Sequence, residues 1–197
     1  MTVADVDAAV AALQAGEVVV LPTETVYGLA ALPRATARIF ELKGRGPDVP
    51  LAVLCADADQ ALALVDDPGD PVARVAKELW PGPLTLVLPR RPGLGYELGE
   101  PATTVGVRCP DHALVRAITA QVGPVAATSA NLHGRPTPDT AAEVAAVFGA
   151  GVAAVVDGGP CDGEPSTVVD ATDPDPANWR VLRQGTLTLA EITATLE

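Results

Sequence analysis

The chain has 197 residues, 48% of them hydrophobic, the size and apolar content of one domain able to close its own core. Its 13 Lys and Arg against 25 Asp and Glu leave a formal charge of −12, a field that repels nucleic-acid backbones and anionic membrane surfaces. Aromatics at 3%, and three scattered cysteines without a CxxC pair, also disfavour stacking platforms for single strands, a disulfide framework and a cysteine-rich zinc site.

Val6, Val10 and Leu13 recur at helical spacing and Gly16 follows as a stop, so a helix opens the chain. Asp5 and Asp7 stand where a signal peptide would be basic, and no apolar run reaches ~18 residues, so a soluble cytoplasmic protein is expected. A strand over 18–21 ends at Pro22, Ile39 and Leu42 mark a short helix, 51–55 reads as a strand, and 58–64 and 71–79 read as helices. Strands follow at 84–88 and 105–108, then a helix at 113–122 and a strand at 125–128. A helix at 139–148, which Asp139 is placed to cap, precedes strands at 152–157, 166–170 and 180–183 and a last helix at 189–196. Val-rich strands interleaved with helices along the whole length predict one α/β domain, 1–197, with a sheet covered on both faces.

Five stretches could carry chemistry. Thr23, Glu24 and Thr25 follow the first strand directly, where open α/β sheets bind ligands, although Thr and Glu after Pro also serve as helix caps or turns. Lys43, one of only two lysines, and Arg45 flank Gly44, either as a local positive pocket or as cations favourable to a helix C-terminus. Arg108 closes a strand that starts with Thr103 and Thr104, and could clamp a carboxylate or phosphate through its planar fork or pair on the surface with Asp111. Thr128, Ser129 and Asn131, followed by Thr137, suit phosphate oxygens on a strand-to-helix loop, or satisfy only their own backbone as a turn. Asp157-Gly158-Gly159, Ser166 and Arg183 add a glycine turn, a hydroxyl and another guanidinium. His112 and His133 have no partner at metal-ligand spacing, His112 reads as a residue of a helix-capping region, and Ser129 lacks the G-x-S-x-G elbow of a hydrolase.

Taken in order, PTETVYGL (22–29), KGR (43–45), WPGPLTLVL (80–88), VGVRCP (105–110), TSAN (128–131), DGG (157–159), STVVD (166–170) and LRQG (182–185) resemble the YrdC-like family. The resemblance implies a twisted, open mixed α/β sheet with helices on both faces and a concave active-site cavity, in a short single-domain form. It implies that L-threonine, bicarbonate or CO2, and ATP are converted to L-threonylcarbamoyladenylate and pyrophosphate. A separate transferase complex then uses that product to modify adenosine 37 of tRNA, so tRNA binding by this chain would be weak or indirect. Lys43, Arg45, Ser129 and Asn131 match catalytic, nucleotide-contacting positions; Thr104, Thr137 and Arg183 match further ATP contacts; Thr25, Arg108 and Ser166 match threonine contacts. Mg2+ would arrive on the ATP phosphates, with no dedicated metal site in the chain. Gly46 stands where proline usually follows KxR, Leu54 where many members carry a histidine, and His133 where serine is usual. Rival readings are a paralogue of the same fold with another adenylation activity, the carbamoyl-adenylating module of hydrogenase maturation proteins, and a nonenzymatic RNA-binding module.

Overall fold

The computed structural model describes residues 5–161 and 163–197; the part of the N-terminal reading on residues 1–4 lies outside them. Helix α1 (Val6–Gln14) begins where the Asp5 carboxylate accepts the Ala8 amide at 2.9 Å, and the chain leaves it through Gly16 at φ 82°. Helix α2 (Ala37–Lys43) ends at Gly44 in the left-handed region, φ 61°, so that Lys43 closes the helix and Arg45 lies beyond the turn. Asp57 caps α3 (Ala58–Leu62), and α4 (Gly69–Leu79) and α5 (Ala113–Val122) follow. The cap of α6 (Ala141–Phe148) is Thr140, not Asp139: its hydroxyl accepts the Glu143 amide while the Glu143 carboxylate returns to the Thr140 amide. That reciprocal pair satisfies two orphan donors, which Asp139 one residue earlier could not do. Thr188 and Glu191 repeat the device at α7 (Leu189–Ala194).

Nine strands form one sheet: β1 (Val19–Leu21), β2 (Gly28–Ala31), β3 (Ala52–Leu54), β4 (Leu84–Pro89), β5 (Thr104–Arg108), β6 (Val125–Ser129), β7 (Ala154–Val155), β8 (Thr167–Asp170) and β9 (Arg180–Arg183). Their order is β7-β1-β2-β6-β3-β5-β4-β8-β9, an open mixed sheet in which β1–β7, β3–β5 and β4–β8 are the parallel pairs. The expected strand at 152–157 contracts to β7, which pairs only with β1. Strand β2 was not expected, because Gly-Leu-Ala-Ala has weak strand propensity; its place between β1 and β6, paired on both sides, overrides that.

Side chains alternate across the sheet. Val18, Val20, Leu29, Val53, Ala126, Val107, Val105, Leu84, Leu86, Leu88 and Val169 enter the larger core, which also takes Ile39 of α2, Val75 of α4, Val144 of α6 and Ile192 of α7. Val19, Leu21, Ala30, Leu54, Val125 and Ala127 point the other way, under α1 and α5. That second face continues onto β5, β4 and β8 beyond the smaller core. There the outward positions are Thr104, Gly106 and Arg108, then Thr85 and Val87, then Val168, with Ser166 just before β8. Helices thus lie on both faces, and the part of the second face carried by β5, β4 and β8 lies outside the smaller core. No helix among the described residues is long and apolar enough to cross a membrane.

Candidate active site

Two polar clusters border this open floor. At the end of β6 the Lys43 ammonium donates to Ser129 O at 2.8 Å, Asn131 O at 2.7 Å and Asn131 Oδ1 at 2.7 Å. A lysine has three N–H groups, so the charge is held in one orientation by the loop after β6. The Asn131 amide is fixed in turn, its Nδ2 donating to Leu132 O and Arg135 O while Oδ1 also accepts the Ser129 hydroxyl. Lys43 is only 3% exposed, and burial followed by the neighbouring Arg45 charge pushes its pKa down to about 8. Arg45 reaches Thr128 Oγ1 at 3.3 Å; its buried Nε has no partner among the described residues, and burial lowers its pKa too. The helix-terminus alternative for Lys43 therefore describes its position but not its partners.

The second cluster surrounds Arg108 at the end of β5. Its Nε donates to Gly82 O at 3.1 Å, its Nη1 to Thr25 Oγ1 at 3.0 Å, and its Nη2 lies 2.8 Å from Glu24 Oε1. Arg108 is 5% exposed, so the surface pair with Asp111 is replaced by a buried pair with Glu24. Ser166 and Thr85 exchange a hydroxyl hydrogen bond at 3.0 Å, and Arg183 Nη2 donates to Ser166 Oγ at 2.9 Å and to Ser166 O at 2.8 Å. Burial, then the Arg108 charge, lowers the Arg183 pKa, so the two guanidiniums share one site although Arg183 was grouped with the nucleotide contacts. Thr25 is held by Thr23 Oγ1, which also accepts the Thr25 and Val26 amides. The Tyr27 hydroxyl donates to Gly159 O at 2.7 Å and accepts the Gly158 amide at 3.2 Å, tying the glycine turn to the loop that carries Glu24 and Thr25.

Thr104 starts β5 and lies about 13 Å from Arg108 along the strand at ~3.3 Å per residue, in the row of Ser129. Neither Thr104 nor Thr137 makes a side-chain hydrogen bond among the described residues, so both present free hydroxyls near the Lys43 cluster or on the loop before α6. His112 occupies the N-cap of α5 without a capping bond, and its Nδ1 is buried without a partner. Leu54 is core, Gly46 and His133 are exposed, and His133 donates its amide to Lys43 O. Thr85 was not among the sequence candidates, and Glu24 was named only within the first candidate stretch, without a role of its own. A threonine alternating with leucines in β4 was the available signal for Thr85; for Glu24, only its place between two site threonines pointed there. Among the described residues no group of three or more His, Cys, Asp or Glu side chains could hold a metal ion.

The Sua5/YciO/YrdC family, described as "Telomere recombination", matches residues 11–185. The threonylcarbamoyl-AMP synthase of Bacillus subtilis is 41% identical over 95% of this chain, and this chain spans only 55% of that protein. That of Photobacterium profundum is 34% identical over 89% of this chain and 96% of its own length. Among solved structures, Pyrococcus abyssi Sua5 complexed with L-threonine superposes with a TM-score of 0.90 at 37% identity, covering 97% of this chain and 57% of the archaeal one.

Proposed function

This chain belongs to the Sua5/YciO/YrdC family, and from that membership and the two clusters we propose that it makes L-threonylcarbamoyladenylate from L-threonine, bicarbonate or CO2, and ATP. The observation that carries the proposal is a single open sheet face bordered by an oriented, buried lysine at one end and a buried arginine among hydroxyls at the other.

In this reading the amine of threonine takes up CO2 as a carbamate. A carbamate oxygen then attacks the α-phosphorus of ATP; the new P–O bond forms as the bond to the bridging oxygen breaks, and pyrophosphate leaves with that electron pair. Two anions must meet for this to happen, so fixed cations and donors near the phosphates do most of the work. Lys43, Arg45, Ser129 and Asn131 are assigned that role, with Thr104 and Thr137 as further nucleotide contacts. Arg108 takes the threonine carboxylate at Nη2, the nitrogen not tied to Gly82 O or Thr25 Oγ1, Thr25 and Ser166 place the amino acid, and Arg183, beside Ser166, bridges towards the phosphates. No covalent intermediate on the protein is required, and positioning supplies much of the rate. Among the described residues no three His, Cys, Asp or Glu side chains gather to hold a metal; Mg2+ is assigned to the ATP phosphates as part of the substrate. The product's consumer would be a threonylcarbamoyl transferase acting on tRNA, and direct tRNA binding is disfavoured by the −12 charge.

Incubation with labelled threonine, bicarbonate, ATP and Mg2+ should give pyrophosphate and a threonylcarbamoyl adduct of AMP in equal amounts. Pyrophosphate release that ignores threonine would overturn the substrate assignment.

A further inference from the structure

We propose that Glu24 is a specificity-determining residue that changes partner: it holds Arg108 in the empty site, and it takes the α-ammonium of the amino acid once the substrate carboxylate has claimed Arg108. The inference rests on the threonine assignment above and deepens it.

Both oxygens of the Glu24 carboxylate are sealed from solvent, and neither has a hydrogen-bond partner among the described residues. Oε1 sits 2.8 Å from Arg108 Nη2, yet that nitrogen is likewise without an aligned acceptor, so the pair attracts by charge alone. Nε and Nη1 of the same guanidinium are tied to Gly82 O and Thr25 Oγ1. Nη2 is therefore the corner of Arg108 that can change partner without moving the side chain. A buried carboxylate with idle lone pairs is unfavourable, and the remedy is a cationic donor of small size.

A zwitterionic α-amino acid meets both demands. Its carboxylate offers Nη2 the aligned acceptor that Glu24 does not, and its ammonium brings three N–H donors to the released Glu24. A hydroxy acid without the amine would displace Glu24 from Arg108 and give it nothing in return. Besides Arg108, the titratable groups whose charges act with that of Glu24 are Cys109, a thiol that burial keeps protonated, and His112, whose Nδ1 is buried and unpartnered; neither offers a fixed cation in the ammonium's place.

The test is calorimetric titration of L-threonine and (R)-3-hydroxybutyrate, which has the same carboxylate and hydroxyl but no amine, into the wild-type protein, Glu24→Gln and Glu24→Asp. The wild type should prefer threonine by about tenfold or more, the size of one charge-assisted contact. Glu24→Gln should reduce that preference by about tenfold, through weaker threonine binding, while hydroxybutyrate binds as well as before or better, and Glu24→Asp should recover part of it. An unchanged nucleotide affinity in both variants reports an intact fold. Equal losses for both ligands in Glu24→Gln, or a wild type that does not distinguish them, would overturn the inference. A wild type that binds neither ligand while binding ATP would remove the threonine assignment itself, a separate and recognisable failure.

Discussion

Raising the pH should weaken nucleotide binding through one side chain. Lys43 titrates near 8 because burial, then Arg45, disfavours its charge relative to the ordinary 10.5. At ~1.36 kcal/mol per unit that is about 3 kcal/mol by which the folded chain resists the ammonium. The sign follows from proton binding: between about 8 and 10.5 the unfolded lysine holds its proton and the folded one does not, so folding becomes more favourable across that window as pH rises. Nucleotide binding behaves in the opposite sense, because a polyphosphate needs the charged form. Affinity for a non-hydrolysable ATP analogue should be flat up to pH about 8 and then fall about tenfold per unit. Calorimetry between pH 7 and 9.5 reads this directly. Lys43→Met should bind about a hundredfold more weakly at pH 7 with a flat profile, and Lys43→Arg should bind at an intermediate level, also flat, since a guanidinium keeps its proton. A wild-type profile that stays level to pH 9.5, or one that Lys43→Met leaves unchanged, would refute the assignment of Lys43 to the phosphates.

Other expectations concern the rest of the site. Arg108→Ala should raise the threonine requirement far more than the ATP requirement, and should lower unfolding free energy by about 3 kcal/mol in urea because Glu24 is left as an unpaired, largely buried charge. Equal effects on both substrates would remove its role as the carboxylate clamp. Tyr27→Phe should lose about 1 kcal/mol of stability and expose the Gly158 amide, its present donor, to faster hydrogen exchange. Gly185→Ala should be severely disruptive, since its Cβ would lie 2.0 Å from Pro165 O and 2.6 Å from the Thr167 nitrogen; threonine affinity should fall with thermal stability as Ser166 is pushed away. By contrast Gly46→Ala meets only the mobile end of Asp48 and should change stability by less than about 0.5 kcal/mol in a denaturant titration.

How much of this was legible in the sequence differs by residue. Apolar runs and turn residues marked every strand except β2, whose Gly-Leu-Ala-Ala is selected by its two neighbours and not by local preference. The motif around Lys43 was visible because lysines are scarce, but its partners are the backbone oxygens of Ser129 and Asn131 and the Asn131 side-chain oxygen, 86 and 88 residues away, which no local pattern displays. Arg108 stood out in the sequence at the end of its strand, whereas its buried partner is not Asp111 three positions on but Glu24, brought in by the loop after β1. Asp139 as the cap of α6 failed for a smaller reason: Thr140 with Glu143 forms the reciprocal pair, and the two candidates are adjacent in sequence.

The alternation along β5 has one more consequence. Thr104, Gly106 and Arg108 face the site, and the two residues between them, Val105 and Val107, are 2% and 0% exposed in the main core. Site and core are thus read off opposite sides of the same five residues, in a strand paired on both edges by β3 and β4. Amides of β5 should exchange with solvent only through global unfolding, whereas the loops carrying Glu24 and Arg45 can open locally. Rigidity is then divided unevenly within the site: Arg108 inherits the stability of the whole domain, and adaptability is left to the loops that carry Glu24 and Arg45.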